Sequence, residues 1–100
     1  NPIYGLLTGT PFDGKSVGEV ISLTFDQQVD FRLGDVLYFI LPEEEENAET
    51  FDIQSAQVRV KITVSPVLNP NFLATTGFSA EILSLEPGVD YSTRLWRCFV

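Results

Sequence analysis

Eight residues near the start of the chain carry its best-defined chemical pattern. Gly9-Thr10-Pro11-Phe12-Asp13-Gly14-Lys15-Ser16 has the form G-x-x-x-x-G-K-[ST] of a phosphate-binding loop. In such a loop backbone N–H groups cradle phosphates, the lysine reaches the β and γ phosphates, and the serine hydroxyl holds Mg²⁺. The pattern needs a strand before it and a helix opening directly after it. Ile3 to Thr8 supplies the strand. Val17 to Phe25 is a poor helix, although Val17, Val20, Ile21 and Thr24 fall at helical spacing. All four of these residues are β-branched, Gly18 sits early, and there is no capping pair. Pro11 and Phe12 are also bulky for a loop that must wrap an anion. The spacing therefore reads as a chance match. Nucleotide binding at Gly9 to Ser16 stays a remote alternative, and no cofactor is expected.

Other chemistries fare no better. The chain has no His, which removes Ser-His and Cys-His catalysis, the usual zinc ligand sets and the ordinary pH switch. Asp26 with Asp30, or Glu43 to Glu49, offers oxygens to Ca²⁺, but neither has EF-hand spacing. A carboxylate pair for glycoside hydrolysis would have to sit in turns or in a loop, where a fixed separation is hard to hold. No metal and no catalytic residue is expected. Cys98 is the single cysteine and cannot form an internal disulfide, so nothing argues for an oxidising compartment. Its neighbours make it a small buried hydrophobe rather than a reactive thiol.

Charge is the next informative feature. The net charge is −8. Residues 1–57 hold eleven acids against Lys15 and Arg32, while residues 58–100 hold three acids against Arg59, Lys61, Arg94 and Arg97. An acidic surface repels phosphate, which makes nucleic acid and anionic membranes poor partners. It suits a cationic protein partner, or the acidic half of one copy against the basic strands of another. Glu43, Glu44, Glu45 and Glu46 are adjacent and must be solvated, as at a projecting hairpin tip. Arg59, Lys61 and Arg94 are the matching cations. The end of the chain, Arg94-Leu95-Trp96-Arg97-Cys98-Phe99-Val100, has large apolar groups on both strand faces. Trp and Arg are favoured where interfaces concentrate their energy, so Trp96 and Phe99 are candidate anchors. The competing role for Trp96 is to close the core. Tyr4, Tyr38, Tyr91 and Trp96 could stack on sugar rings, which keeps a carbohydrate or small-ligand site as the second reading.

These residues must be carried by strands. Val58, Val60, Ile62 and Val64 alternate with Arg59, Lys61 and Thr63 in strict period two. Ile21 to Phe25, Val29 to Leu33 and Tyr91 to Leu95 alternate in the same way, each with one face for a core and one for solvent. Val36 to Leu41 is six apolar residues in a row, a strand buried on both faces, and Pro42 ends it. Turn signals fall at Asp13-Gly14, Asp26-Gln27-Gln28, Gly34-Asp35 and Glu86-Pro87-Gly88. Ser65 to Gly77 is irregular, with one helical turn expected at Phe72 to Thr75. The Val36–Leu41 strand leads out to the Glu tip, and Phe51 to Ser55 leads back towards Val58.

The expectation is one all-β domain over residues 1–100, an antiparallel β-sandwich or small β-barrel of about seven or eight strands. The strand rhythm resembles that of small β-barrel regulatory domains that bind cyclic dinucleotides. Their paired-arginine motif before the first strand is missing here, so no residue role follows from the resemblance. No apolar run approaches the roughly 20 residues of a membrane span, and a soluble chain is expected. The chain has no Met, which points to processing or trimming before Asn1 and leaves room for a removed leader. The function expected is a non-enzymatic structural or protein-interaction module that self-associates or binds a protein partner. Compact His-poor β-domains of this kind build phage and viral particles, an analogy of fold alone.

Overall fold

Alternation decides the architecture. In a computed structural model, described for residues 3–41, 56–64 and 73–99, every stretch of regular structure is a strand. These are β1 (Ile3–Leu7), β2 (Val20–Phe31), β3 (Val36–Ile40), β4 (Val58–Val64), β5 (Leu73–Leu85) and β6 (Trp96–Phe99). They close into an antiparallel barrel in the order β1-β2-β5-β4-β3-β6. The sandwich-or-barrel expectation thus resolves to a barrel, with six strands among the described residues.

The inward face is the apolar face read from the sequence. Ile21, Leu23, Phe25, Val29 and Phe31 of β2 are buried, as are Val58, Val60 and Ile62 of β4. The intervening residues of β2 face water. β3 is buried or half-buried at every position. Two aromatic groups fill the barrel. Phe25, Phe31 and Phe78 stand 5.2–5.7 Å apart, centroid to centroid. Phe12, Tyr91 and Trp96 close the opposite end. Phe39 joins the two, 6.4 Å from Phe25 and 5.4 Å from Phe12. Side-chain filling of the lumen is what a small barrel requires.

Four local expectations are corrected, and the first two lower the strand count among the described residues. Asp26-Gln27-Gln28 is not a turn. β2 runs through it, and a register shift between Thr24 and Val29 absorbs the polar residues as a bulge. Tyr91 to Leu95 is not a strand. Asp90 accepts bonds from the Ser92 N–H at 3.0 Å and the Ser92 hydroxyl at 2.6 Å, which holds this stretch in a turn. Leu73 to Thr75 is strand rather than helical turn, because Phe31, Asp30 and Val29 pair with these residues. Leu33, read as the last inward position of its strand, lies beyond β2 and is exposed.

The β2–β3 connection is tight, as Gly34-Asp35 implied. The Asp35 carboxylate accepts the Arg32 N–H at 2.9 Å, and Gly34 adopts φ 91°, which a side chain would disfavour. β3 and β4 pair antiparallel from Val36↔Lys61 to Phe39↔Val58, as the expected hairpin demands. Its tip, with Glu43, Glu44, Glu45 and Glu46 and the returning Phe51 to Ser55, lies outside the described residues.

Candidate interaction surface

The residues singled out for contact end up in three different places. Arg59 and Lys61 are exposed on the outer face of β4. Their inward neighbours Val58, Val60 and Ile62 fix this orientation, because a strand alternates its side chains. Arg59 donates through Nε to the Ser84 hydroxyl at 3.2 Å, and Lys61 lies opposite Glu81 on β5. Arg94 is exposed on the β5–β6 connection beside Leu95, whose side chain is 48% exposed.

Trp96 and Phe99 are not surface anchors. Both are wholly buried, which overturns their reading as contact residues. Trp96 faces inward, edge-on to Phe12 at 5.4 Å and stacked on Tyr91 at 5.4 Å. Its indole N–H donates to the Thr93 carbonyl at 3.2 Å, so its polar atom is satisfied in the core. Cys98 is buried as well, and burial pushes its thiol far above the usual range, so no thiolate is available for chemistry.

The phosphate-loop motif lacks the element it needs. After Ser16 the chain makes another turn and enters β2, with no helix. Phe12 points into the core and is fully buried. Several of the N–H groups that would cradle an anion are used internally. Asp13 donates to the Thr10 carbonyl, Lys15 to the Phe12 carbonyl, and Ser16 to the Glu19 carboxylate. A carboxylate standing where a phosphate would bind opposes it electrostatically.

Sequence reasoning missed two features. One is the role of Phe12 as a plug, for which a lone aromatic in a turn was the only signal. The other is an open cleft of ≈ 350 Å³ between β1, β2 and β6, lined by Gly5, Leu6, Asp26, Gln27 and Arg97. Reading Asp26-Gln27-Gln28 as a turn concealed it. Among the described residues no group of three or more carboxylate, Cys or His side chains is placed to hold a metal. Nor is any helix there long and apolar enough to cross a membrane. No family model, curated protein or solved structure matches this chain.

Tyr91 locks the plugged end. Its hydroxyl donates to the Glu86 carbonyl at 2.9 Å. Burial raises its phenol pKa, and the nearby negative charge of Glu86 acts in the same direction. A folded-state pKa above the unfolded value of about 10 means the associated stability is complete below that pH. It is lost as pH rises through the folded value. Tyr91→Phe is therefore expected to flatten the fall in urea midpoint between about pH 9 and 11. At neutral pH the variant should cost about 1 kcal/mol for the missing hydrogen bond.

Proposed function

We propose that this chain is a non-enzymatic interaction module, a subunit that docks through its outer strand surface in a larger assembly. The observation that carries the reading is the pair Arg59 and Lys61. They stand two residues apart on one exposed strand face of a chain with net charge −8. Strand geometry sets such side chains about 6.7 Å apart, a fixed spacing that suits two carboxylates of a partner. The filled lumen favours contact at the surface over ligand capture inside the barrel. Arg94 and the exposed Leu95 add a cation and an apolar group at one end. The occupant that fits is an acidic protein segment, from a second copy or from another chain of the assembly.

Charge reversal tests this. Sedimentation velocity of the whole chain should show association at low salt that weakens as salt rises. Arg59→Glu with Lys61→Glu should weaken it on the order of tenfold and leave the circular dichroism spectrum unchanged. A strict monomer at every salt and concentration, with no partner retained in a pull-down, would sink the reading.

A further inference from the structure

We infer that Asp13-Gly14 is a site of spontaneous covalent modification, where the folded chain converts aspartate to isoaspartate through a cyclic imide. The step balances within the chain. The Gly14 amide nitrogen attacks Asp13 Cγ and a C–N bond forms. The nitrogen's proton and the carboxyl hydroxyl leave as water, and nothing is oxidised or reduced. Water then reopens the ring at either carbonyl. Opening at the original main-chain carbonyl leaves the backbone running through the Asp13 β-carbon, with a free α-carboxylate.

Ring closure needs an unhindered nitrogen, a carboxyl free to turn towards it and a backbone free to rotate. Glycine hinders the nitrogen least, because it has no Cβ, and Asp-Gly occurs once in the chain. Both residues are exposed on the β1–β2 connection. A Cβ built on Gly14 would meet nothing within 4 Å, so the ring has room. Among the described residues no hydrogen bond engages the Asp13 carboxylate or the Gly14 N–H. The turn is held by the Asp13 N–H on the Thr10 carbonyl at 3.3 Å and the Lys15 N–H on the Phe12 carbonyl at 3.2 Å. Both bonds are long, and water takes them up at little cost when the backbone rotates.

The other described aspartates lack this combination. Asp26 and Asp30 lie within β2 and are followed by Gln27 and Phe31. The Asp35 carboxylate accepts the Arg32 N–H, and that of Asp90 is held by Ser92. The reacting loop is also anchored on both sides. Phe12 is buried in the lumen, and the Gly18 N–H donates to the Ile82 carbonyl at 2.8 Å. The added main-chain carbon falls among the exposed residues between these anchors, so the product keeps the barrel closed. The inference stands on this loop and is independent of the charge-based docking reading.

Ageing the full chain in mildly acidic to neutral buffer tests it. Isoaspartate is read by fragment mass spectrometry of a digest and by methyl transfer from an isoaspartyl methyltransferase. Asp13 is expected to accumulate it at least about tenfold faster than Asp26 or Asp30, with the circular dichroism spectrum unchanged. Gly14→Ala should slow the conversion at least about tenfold. Asp13→Asn expels ammonia in place of water and should convert faster than the parent, which keeps the test decisive if Gly14→Ala does not fold. Asp13 left unconverted in the folded chain would overturn the inference. So would conversion confined to chain unfolded in urea, or an Asp13→Asn chain that keeps its amide.

Discussion

Trp96→Ala is expected to destabilise the barrel by about 3–5 kcal/mol, the range for removing a large buried aromatic. Trp96 is fully buried, and its ring meets both Phe12 and Tyr91. Alanine would leave a cavity at the plugged end that the closed ladder cannot collapse into. It would also strip the Thr93 carbonyl of its indole donor. Domains of this size have total stabilities of about 5–15 kcal/mol, so the loss is a large fraction of the whole. At about 4–8 °C per kcal/mol, the melting temperature should fall by on the order of 20 °C. A thermal melt followed by circular dichroism measures it. The neighbouring exposed Arg94→Ala should stay within about 0.5 kcal/mol of the parent. A near-normal melt for Trp96→Ala, with association lost, would instead restore Trp96 as a surface anchor.

Phe12→Ala should cost a similar amount, about 3–5 kcal/mol, although Phe12 lies in a turn between strands. Its ring packs edge-on against Phe39, Trp96 and Tyr91 with no solvent exposure. Because Phe12 and Trp96 touch, the two losses should not add. The double variant is expected to fall short of the sum by roughly 0.5–3 kcal/mol. Lys15→Ala, three residues along the same loop and exposed, should change stability by no more than about 0.5 kcal/mol. This contrast separates a structural plug from a phosphate loop. In a phosphate loop Lys15 would be the critical side chain, and nucleotide would raise the melting temperature only while it is present. Urea titrations of the three variants, with and without ATP and Mg²⁺, give the comparison.

Some of this was legible in the residues themselves. The alternation of Val58, Val60 and Ile62 with Arg59 and Lys61 set inward and outward faces, since strand side chains must alternate. The same rule exposed Arg59 and Lys61 as a surface pair. The turn at Gly34-Asp35 was legible because its geometry is made locally, by one glycine conformation and one carboxylate bond. Asp26-Gln27-Gln28 misled because polar residues terminate a strand or form a bulge with equal ease. Which one occurs depends on the neighbouring strand, here β5.

What the sequence determined by itself was therefore local. It set the all-β class, the buried faces of Ile21–Phe25 and Val58–Ile62, and the exclusion of His-dependent chemistry. Only the tertiary structure decided that the strands close into a barrel, since a sandwich and a barrel use the same period-two alternation. It also decided that Trp96 turns into the lumen against Phe12 and Tyr91, that Phe99 is buried outside that central cluster, and that β6 has β1 and β3 on its two edges. β6 reaches those neighbours across most of the chain, and pairings of that separation leave no mark on local periodicity. They are fixed when the ends of the sheet meet, where burying Trp96 and Phe12 together stabilises closure.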